Sequence, residues 1–283
     1  MKFNNFRVPA DNFAAIAFVM CLTIFLPIVL MIIWRKKTKA KISSFFIGSA
    51  TFIVFALILE QILHTIVLKA TGDLISGNTL FYAIYGGLAA GIFEETGRLV
   101  SMKLFMKKSL NKQNGIMYGI GHGGAESIII AGLTYISNLC ICILLNMGQG
   151  ELLVVGANQR TRDLLYKQLC PLWMSDANYF LLAGVERISA IMFHICASYI
   201  VYRAIKNSKY YLYVLAIFLH ALLDAITVLL AGTGMNLWLL EGVIFAYSAI
   251  IAVITINIYR KEKGDADISA AEIPVIDENT DSE

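Results

Sequence analysis

The chain has 283 residues, of which 58% are hydrophobic and 15% are charged, and its mean hydropathy is +0.69. This composition is typical of a polytopic membrane protein and excludes an ordinary soluble domain. The formal net charge of +3 says little about partners. We expect the lipid bilayer as a partner, and no nucleic acid.

Seven apolar segments follow one another along the chain. Each exceeds the roughly 20 residues needed to cross the ~30 Å hydrocarbon core of a bilayer. They cover residues 13–34, 44–68, 80–105, 115–147, 178–202, 210–231 and 236–259. We therefore predict an all-α fold, a polytopic membrane helix bundle with about seven transmembrane helices that occupies residues 13–259.

The lysines and arginines predict the orientation of this bundle. Fifteen of them flank the predicted spans on one side and six on the other, while Arg98 and Arg187 lie inside spans. By the positive-inside rule, we expect a multi-pass protein of the cell membrane with residues 1–12 outside and the C-terminus in the cytoplasm. The polar, acidic segment 260–283 is predicted to be a disordered cytoplasmic tail.

The segment 152–176, between the fourth and fifth predicted spans, mixes apolar and basic residues. Such a pattern is typical of an amphipathic helix that lies in the membrane interface. An ordinary connecting loop explains the segment equally well. Both interpretations place it on the outer face.

Ionisable residues recur one helical turn apart on four of the predicted spans. They are Glu94, Glu95 and Arg98 in the third span, His122 and Glu126 in the fourth, Arg187 and His194 in the fifth, and His220 and Asp224 in the sixth. Residues three, four or seven apart share a helix face, and a charge at bilayer depth costs roughly 3 kcal/mol unless it faces a protein interior. Because a rise of ~1.5 Å per residue places these groups near the midplane, we predict that they enclose one cavity in a catalytic core at residues 80–231.

Such a cluster contains the groups that peptide-bond hydrolysis requires. A buried carboxylate with a histidine within reach can hold and deprotonate a water molecule. Further histidines and an acid can donate hydrogen bonds to a developing oxyanion. The pattern therefore favours an intramembrane peptidase.

The sequence around these residues resembles a known motif series. The stretches are EETGR at 94–98, YGIGH at 118–122 running into Glu126, FH at 193–194 and FLHALLD at 218–224. In this order they are similar to the motifs of the CAAX-protease and PrsW superfamily, and within it to the YhfC-type glutamic intramembrane endopeptidases. The resemblance covers residues 80–231, and each motif alone is weakly specific.

The resemblance implies a water nucleophile, no covalent enzyme intermediate and no cofactor. It implies that Glu94 is the general base and that Glu95 and Arg98 form a supporting ion pair. It also implies that His220 and Asp224 stabilise the oxyanion. The expected substrate is a membrane-associated protein or peptide.

The resemblance leaves the residue that orients the water open. His122 fits the aromatic-xxx-His form of CAAX proteases, Glu126 fits the aromatic-xxx-Glu form of PrsW proteins, and His194 is a third candidate. Two residues, where CAAX proteases have three, separate Glu95 from Arg98. Since this spacing resembles that of PrsW proteins, we infer nothing about prenylated substrates.

Two other classes of function stay open. The residues His122, Glu126, His194, His220 and Asp224 include enough nitrogen and oxygen donors for a tetrahedral zinc with one open position, although the chain has no HExxH motif. A zinc-dependent intramembrane metalloprotease is therefore the first alternative. Buried acids and histidines also form proton relays, so a proton-coupled transporter or a binding scaffold without peptidase activity is the second.

Glu60 and His64 form another pair four residues apart, in the second predicted span. They lie toward the predicted outer end of that span. We therefore expect a solvated or interfacial position for both side chains.

Overall fold

All regular secondary structure in residues 2–262, the part of the chain that the computed structural model describes, is helical. The long helices are α1 (Ala10–Thr38), α2 (Ile42–Thr71), α3 (Thr79–Phe105), α4 (Lys112–Asn146), α5 (Gln159–Leu169), α6 (Ala177–Lys206), α7 (Tyr211–Gly232) and α8 (Leu237–Lys261). Shorter helical segments are Phe3–Asn5, Asp73–Ser76, Gly150–Val154 and Pro171–Met174. The predicted disordered tail lies, from residue 263 onward, outside the described residues.

Six of these helices, α1, α2, α4, α6, α7 and α8, are long and apolar enough to cross a membrane. Helix α3 has 27 residues, which corresponds to a rise of about 40 Å. Its apolar character is lower because it contains Glu94, Glu95 and Arg98. The predicted all-α bundle of about seven spans is confirmed, and each predicted span boundary lies within four residues of a helix end.

Two of the spans depart from regular α-helical geometry. Helix α2 contains a π-helical section at Ile53–Glu60, and α4 contains one at Ser127–Gly132. The second section begins directly after Glu126. Because π-helical turns shift the register of all later side chains and often occur at functional sites, they bear on how the polar residues are placed.

Capping residues and terminal charges explain several helix ends. The side chains of Asn78, Asn111 and Asn236 accept backbone N–H groups at the starts of α3, α4 and α8, which is the role of an N-cap asparagine. Basic residues occupy the last turns of α1, α3, α6 and α8, where they complement the helix dipole. These four ends lie on one side of an alternating bundle, the side predicted to be cytoplasmic.

The segment between α4 and α6 packs against the N-terminal residues. Leu165 and Leu169 of α5 belong to one apolar cluster with Phe3. Glu151 accepts hydrogen bonds of 2.8 Å from the Phe3 backbone N–H and 2.6 Å from Arg162, and the bond from Arg162 lowers the pKa of the Glu151 carboxyl. This segment therefore contains a helix, as the amphipathic interpretation requires, while its position at a membrane surface stays a prediction.

Glycines bring α3 and α7 into close contact around the polar residues. A Cβ atom built on Gly87 would lie 2.3 Å from the backbone oxygen of Ala221, and one built on Gly91 would lie 2.7 Å from that of Ile217. No side chain fits in that space. Small residues therefore allow the two backbones to pack directly, which places the acids of α3 beside the histidine of α7.

We expect Gly87→Ala to separate α3 from α7 and to destabilise the protein by about 1–3 kcal/mol, the usual cost of overpacking a close contact. Thermal unfolding of the purified protein in detergent measures this effect. Gly86→Ala is the matched control, because a Cβ at Gly86 meets nothing within 4 Å. Equal unfolding temperatures for the two variants would contradict the role of this contact.

Candidate active site

Helix α3 places three ionisable side chains in the interior of the bundle. Glu95 and Arg98 are fully buried, and Glu94 is 7% exposed. Arg98 Nη1 lies 3.0 Å from Glu95 Oε1. The two residues form the ion pair expected from their spacing of three, which leaves the carboxylate of Glu94 for other partners.

Helix α4 contributes the first of these partners. His122 is fully buried, and its Nε2 lies 2.8 Å from Glu94 Oε2. The rings of Phe52 and Tyr118 pack against its imidazole at centroid distances of 5.5 and 6.2 Å. His122 Nδ1 is buried without a hydrogen-bond partner among residues 2–262.

Helix α6 contributes His194, which contacts three of the other polar residues. Its Nδ1 accepts a 3.1 Å hydrogen bond from Arg98 Nη2 and lies 3.9 Å from Glu94 Oε2. Its Nε2 lies 2.5 Å from Glu126 Oε2. Since Nδ1 accepts from a guanidinium, the ring proton is on Nε2, the nitrogen that faces the Glu126 carboxylate. The hydrogen bond from Arg98 thus orients the His194 ring, and Glu126 offers a negative charge to its other nitrogen.

Arg187 and Glu186, also on α6, extend this network to the edge of the bundle. Arg187 Nη1 lies 2.7 Å from Glu126 Oε1, and its Nη2 lies 2.5 Å from Glu186 Oε1. The sequence pattern placed Arg187 on the face of His194 but did not identify it as a site residue. An arginine inside an apolar span was the available signal, and the contact with Glu126 could not be predicted because it joins two different spans.

Helix α7 supplies the last histidine. His220 Nδ1 lies 2.9 Å from Glu95 Oε1, and its Nε2 lies 4.0 Å from Glu94 Oε1 and 3.6 Å from Asp224 Oδ2. The side chain of Asp224 is 38% exposed. His220 therefore lies between the buried acids of α3 and a more accessible acid of its own helix.

The structure brings all of the site residues predicted from the sequence into one network. Its centre is Glu94, whose carboxylate lies within 4.0 Å of nitrogens of His122, His194 and His220. The members of the network are Glu94, Glu95, Arg98, His122, Glu126, His194, His220 and Asp224. Four spans thus enclose one polar site, as the common depth of their ionisable residues predicted.

A small cavity adjoins this network between α3, α4, α6, α7 and α8. Its volume is about 130 Å³, and its polar lining includes Glu94, His194, His220 and Asp224. A polar cavity of this size has room for several water molecules. The site can therefore hold the water that hydrolysis requires.

Together with Arg187, the mostly buried network contains more acids than permanently charged bases. Its acids are Glu94, Glu95, Glu126 and Asp224, and its bases are Arg98 and Arg187. Unpaired charges at this depth are costly. The excess negative charge therefore requires either protons on the histidines and carboxyls or a bound cation.

Three of the residues fit the donor set of a divalent metal. Ligand atoms of Glu94, His122 and His194 all lie within 4.8 Å of one another, and one carboxylate with two imidazoles leaves a tetrahedral ion one open position. Metal-binding histidines often have a carboxylate at the ring nitrogen that does not bind the metal. Glu126 lies in that position beside Nε2 of His194. One feature competes with a metal, because Arg98 already donates to Nδ1 of His194.

Glu60 does not lie where the sequence suggested. It is 7% exposed, so its carboxylate, contrary to expectation, is not on the outer surface of the bundle, while its depth in the membrane stays a prediction. Helix α2 extends to Thr71, which places Glu60 about 16 Å from the helix end at ~1.5 Å per residue. His64, at 21% side-chain exposure, is the more accessible member of the pair.

Comparison with known proteins identifies relatives of this chain. A family model described as "YhfC intramembrane metalloprotease" matches residues 22–244. The protein named "Uncharacterized membrane protein YhfC" from Bacillus subtilis (strain 168) is 39% identical over 207 residues, which cover 72% of this chain and 79% of that protein. No solved structure matches the chain.

Proposed function

The chain belongs to the YhfC intramembrane metalloprotease family, and from that premise we propose that it hydrolyses peptide bonds of membrane-embedded substrates with a water molecule activated at Glu94. The observation that carries this proposal is the position of Glu94. Its buried carboxylate lies beside a cavity with room for water and within 4.0 Å of three histidines. An acid and histidines in this arrangement suit general acid–base catalysis.

In the proposed reaction, Glu94 is the general base and His122 is the residue that positions its carboxylate. The 2.8 Å contact between them fixes the carboxylate beside the cavity. The oxygen of the water attacks the carbonyl carbon of the substrate while its proton passes to Glu94. Glu94 then returns that proton to the departing nitrogen, the C–N bond breaks, and a carboxylic acid, which still carries the second proton of the water, and an amine leave the site.

We assign stabilisation of the developing oxyanion to α7. His220 Nδ1 contacts Glu95, which leaves Nε2 directed toward Glu94 and Asp224 at 4.0 and 3.6 Å. A protonated Nε2, or a protonated Asp224, can donate a hydrogen bond to the oxyanion. Glu95 acts here as a positioning residue.

A metal-bound site is the second candidate, since Glu94, His122 and His194 fit the donor set. These three residues would hold the ion, which would supply Lewis acidity and a more acidic bound water. The contact of 3.1 Å between Arg98 and His194 Nδ1 favours the metal-free site. A cation at His194 Nδ1 would require the guanidinium of Arg98 to move away.

Metal content and chelator sensitivity separate the two candidates. We expect the purified protein to contain far less than one equivalent of zinc by mass spectrometry and to cleave a transmembrane-peptide library equally well with a strong chelator. Stoichiometric metal that is lost in His122→Ala and His194→Ala, but kept in the control His64→Ala, would assign the site to a metalloprotease. Ion or proton flux without any cleavage would favour the transporter alternative.

The charges at the helix ends support a particular orientation in the membrane. The basic last turns of α1, α3, α6 and α8 lie on one side of the bundle. By the positive-inside rule, we propose that this side is cytoplasmic and that α1 begins outside the cell. The site then lies between both surfaces, near the middle of the membrane.

A further inference from the structure

A second polar group lies between α2 and α3, apart from the network around Glu94. Its members are Glu60, His64 and Tyr85. His64 Nε2 lies 3.1 Å from Glu60 Oε1, and His64 Nδ1 lies 2.8 Å from the Tyr85 hydroxyl. The three side chains therefore form a continuous chain of hydrogen bonds across two spans.

This polar chain occupies one face of α2. Glu60 and His64 are four residues apart and share a face, whereas Ile62 and Ile66 lie on the opposite face. The isoleucines are 53% and 62% exposed, as expected for side chains in contact with lipid. The same helix thus presents polar groups toward the bundle and apolar groups away from it.

The second half of α2 stands apart from the rest of the bundle. The section Gln61–Thr71 has no buried residue. The hydrogen bond between His64 and Tyr85 links this section to α3. On the side where α1 begins, polar side chains therefore bridge two helices that are not otherwise closely packed.

The polar chain leads toward the candidate active site. The exposed fraction falls from His64, at 21% of its side chain, to Glu60, at 9%. Phe55 packs against Gly97 of α3. Glu60, five residues further along the antiparallel α2, therefore lies within about one helical turn of the level of Glu94. Glu60 also interacts electrostatically with His220 and Glu94. The more buried end of this polar chain is thus the end nearer the network, and the more accessible end lies toward the end of α2.

Hydrolysis consumes one water molecule in every turnover. Water does not fill a passage in the bilayer that is lined only by apolar side chains. We propose that Glu60, His64 and Tyr85 line a water-filled entry route that connects the site around Glu94 to the surface on which α1 begins. The purpose of this route rests on the proposed peptidase function. Its existence is a separate structural claim.

Cysteine labelling with a charged methanethiosulfonate reagent tests the route. The full-length variants His64→Cys and Ile66→Cys are treated in intact cells and, separately, in inverted vesicles, and mass spectrometry measures modification at that position alone. We expect His64→Cys to react roughly 100-fold faster than Ile66→Cys, because a charged reagent is excluded from hydrocarbon by about this factor. The fast reaction should occur only from the side on which α1 begins.

A second pair of variants guards against misfolding of His64→Cys. Tyr85→Cys should react quickly, and Ile84→Cys, at a position where the native side chain is 46% exposed, should react slowly. No reaction at either polar position, or equal rates at polar and apolar positions, would overturn the proposal. Since labelling needs no turnover, a negative result leaves the peptidase proposal untouched, and an inactive protein can still show the route.

Discussion

Glu94→Gln is expected to lower the rate of peptide cleavage by about 10²–10⁴-fold, the range that general acid–base catalysis contributes. The substitution keeps the size and shape of the side chain but removes the carboxylate that receives the proton of the water. The contact with His122 at 2.8 Å can persist, because an amide also forms hydrogen bonds. The rate of cleavage of a transmembrane peptide by the purified variant measures the effect.

A matched control separates loss of catalysis from loss of structure. Glu241→Gln changes another acid inside a span, on α8, which is not a partner of Glu94. This variant should cleave at the wild-type rate, and both variants should unfold at temperatures close to that of the wild type. A Glu94→Gln protein that is folded and fully active would remove Glu94 from the mechanism.

Arg98→Met is expected to destabilise the protein by about 3–5 kcal/mol, the cost of removing one partner from a buried ion pair. Arg98 and Glu95 are both fully buried, so the substitution leaves the Glu95 carboxylate without its cation. It also removes the donor to His194 Nδ1. Thermal unfolding in detergent should show a large decrease in the midpoint.

The double variant Glu95→Gln/Arg98→Met provides the control for this interpretation. It removes both charges, so it should recover a large part of the lost stability, because replacing a whole buried pair is far less costly than breaking it. Both proteins should lack the contact with His194. Equal destabilisation of the single and double variants would mean that the unpaired charge of Glu95 does not cause the lower stability of Arg98→Met.

The spans and the faces of their polar residues could be predicted from the sequence because both depend on local spacing. Apolar length defined the bundle, and separations of three or four residues grouped Glu94 with Arg98 and His122 with Glu126. The contacts between helices could not be derived in this way. The pairing of Glu126 with Arg187, 61 residues apart, depends on how α4 and α6 are placed against each other.

Glu60 shows a second limit of sequence reasoning. Its expected position near the outer surface assumed that the span ends at residue 68. Helix α2 instead continues to Thr71, and it contains a π-helical section earlier in its length, at Ile53–Glu60. Three more residues place the side chain about 4.5 Å farther from the helix end at ~1.5 Å per residue. Neither the later helix end nor the π-helical section can be identified from the apolar composition.

Mapping the bonds that the protein cuts tests the central claim most directly. Purified wild-type protein and Glu94→Gln are incubated with a library of transmembrane peptides, and mass spectrometry identifies the new termini. We expect the wild type to yield fragments whose new ends lie inside the apolar segments and Glu94→Gln to yield none of them. Identical fragments from both proteins, or cleavage confined to the polar flanks, would contradict hydrolysis at Glu94 within the membrane.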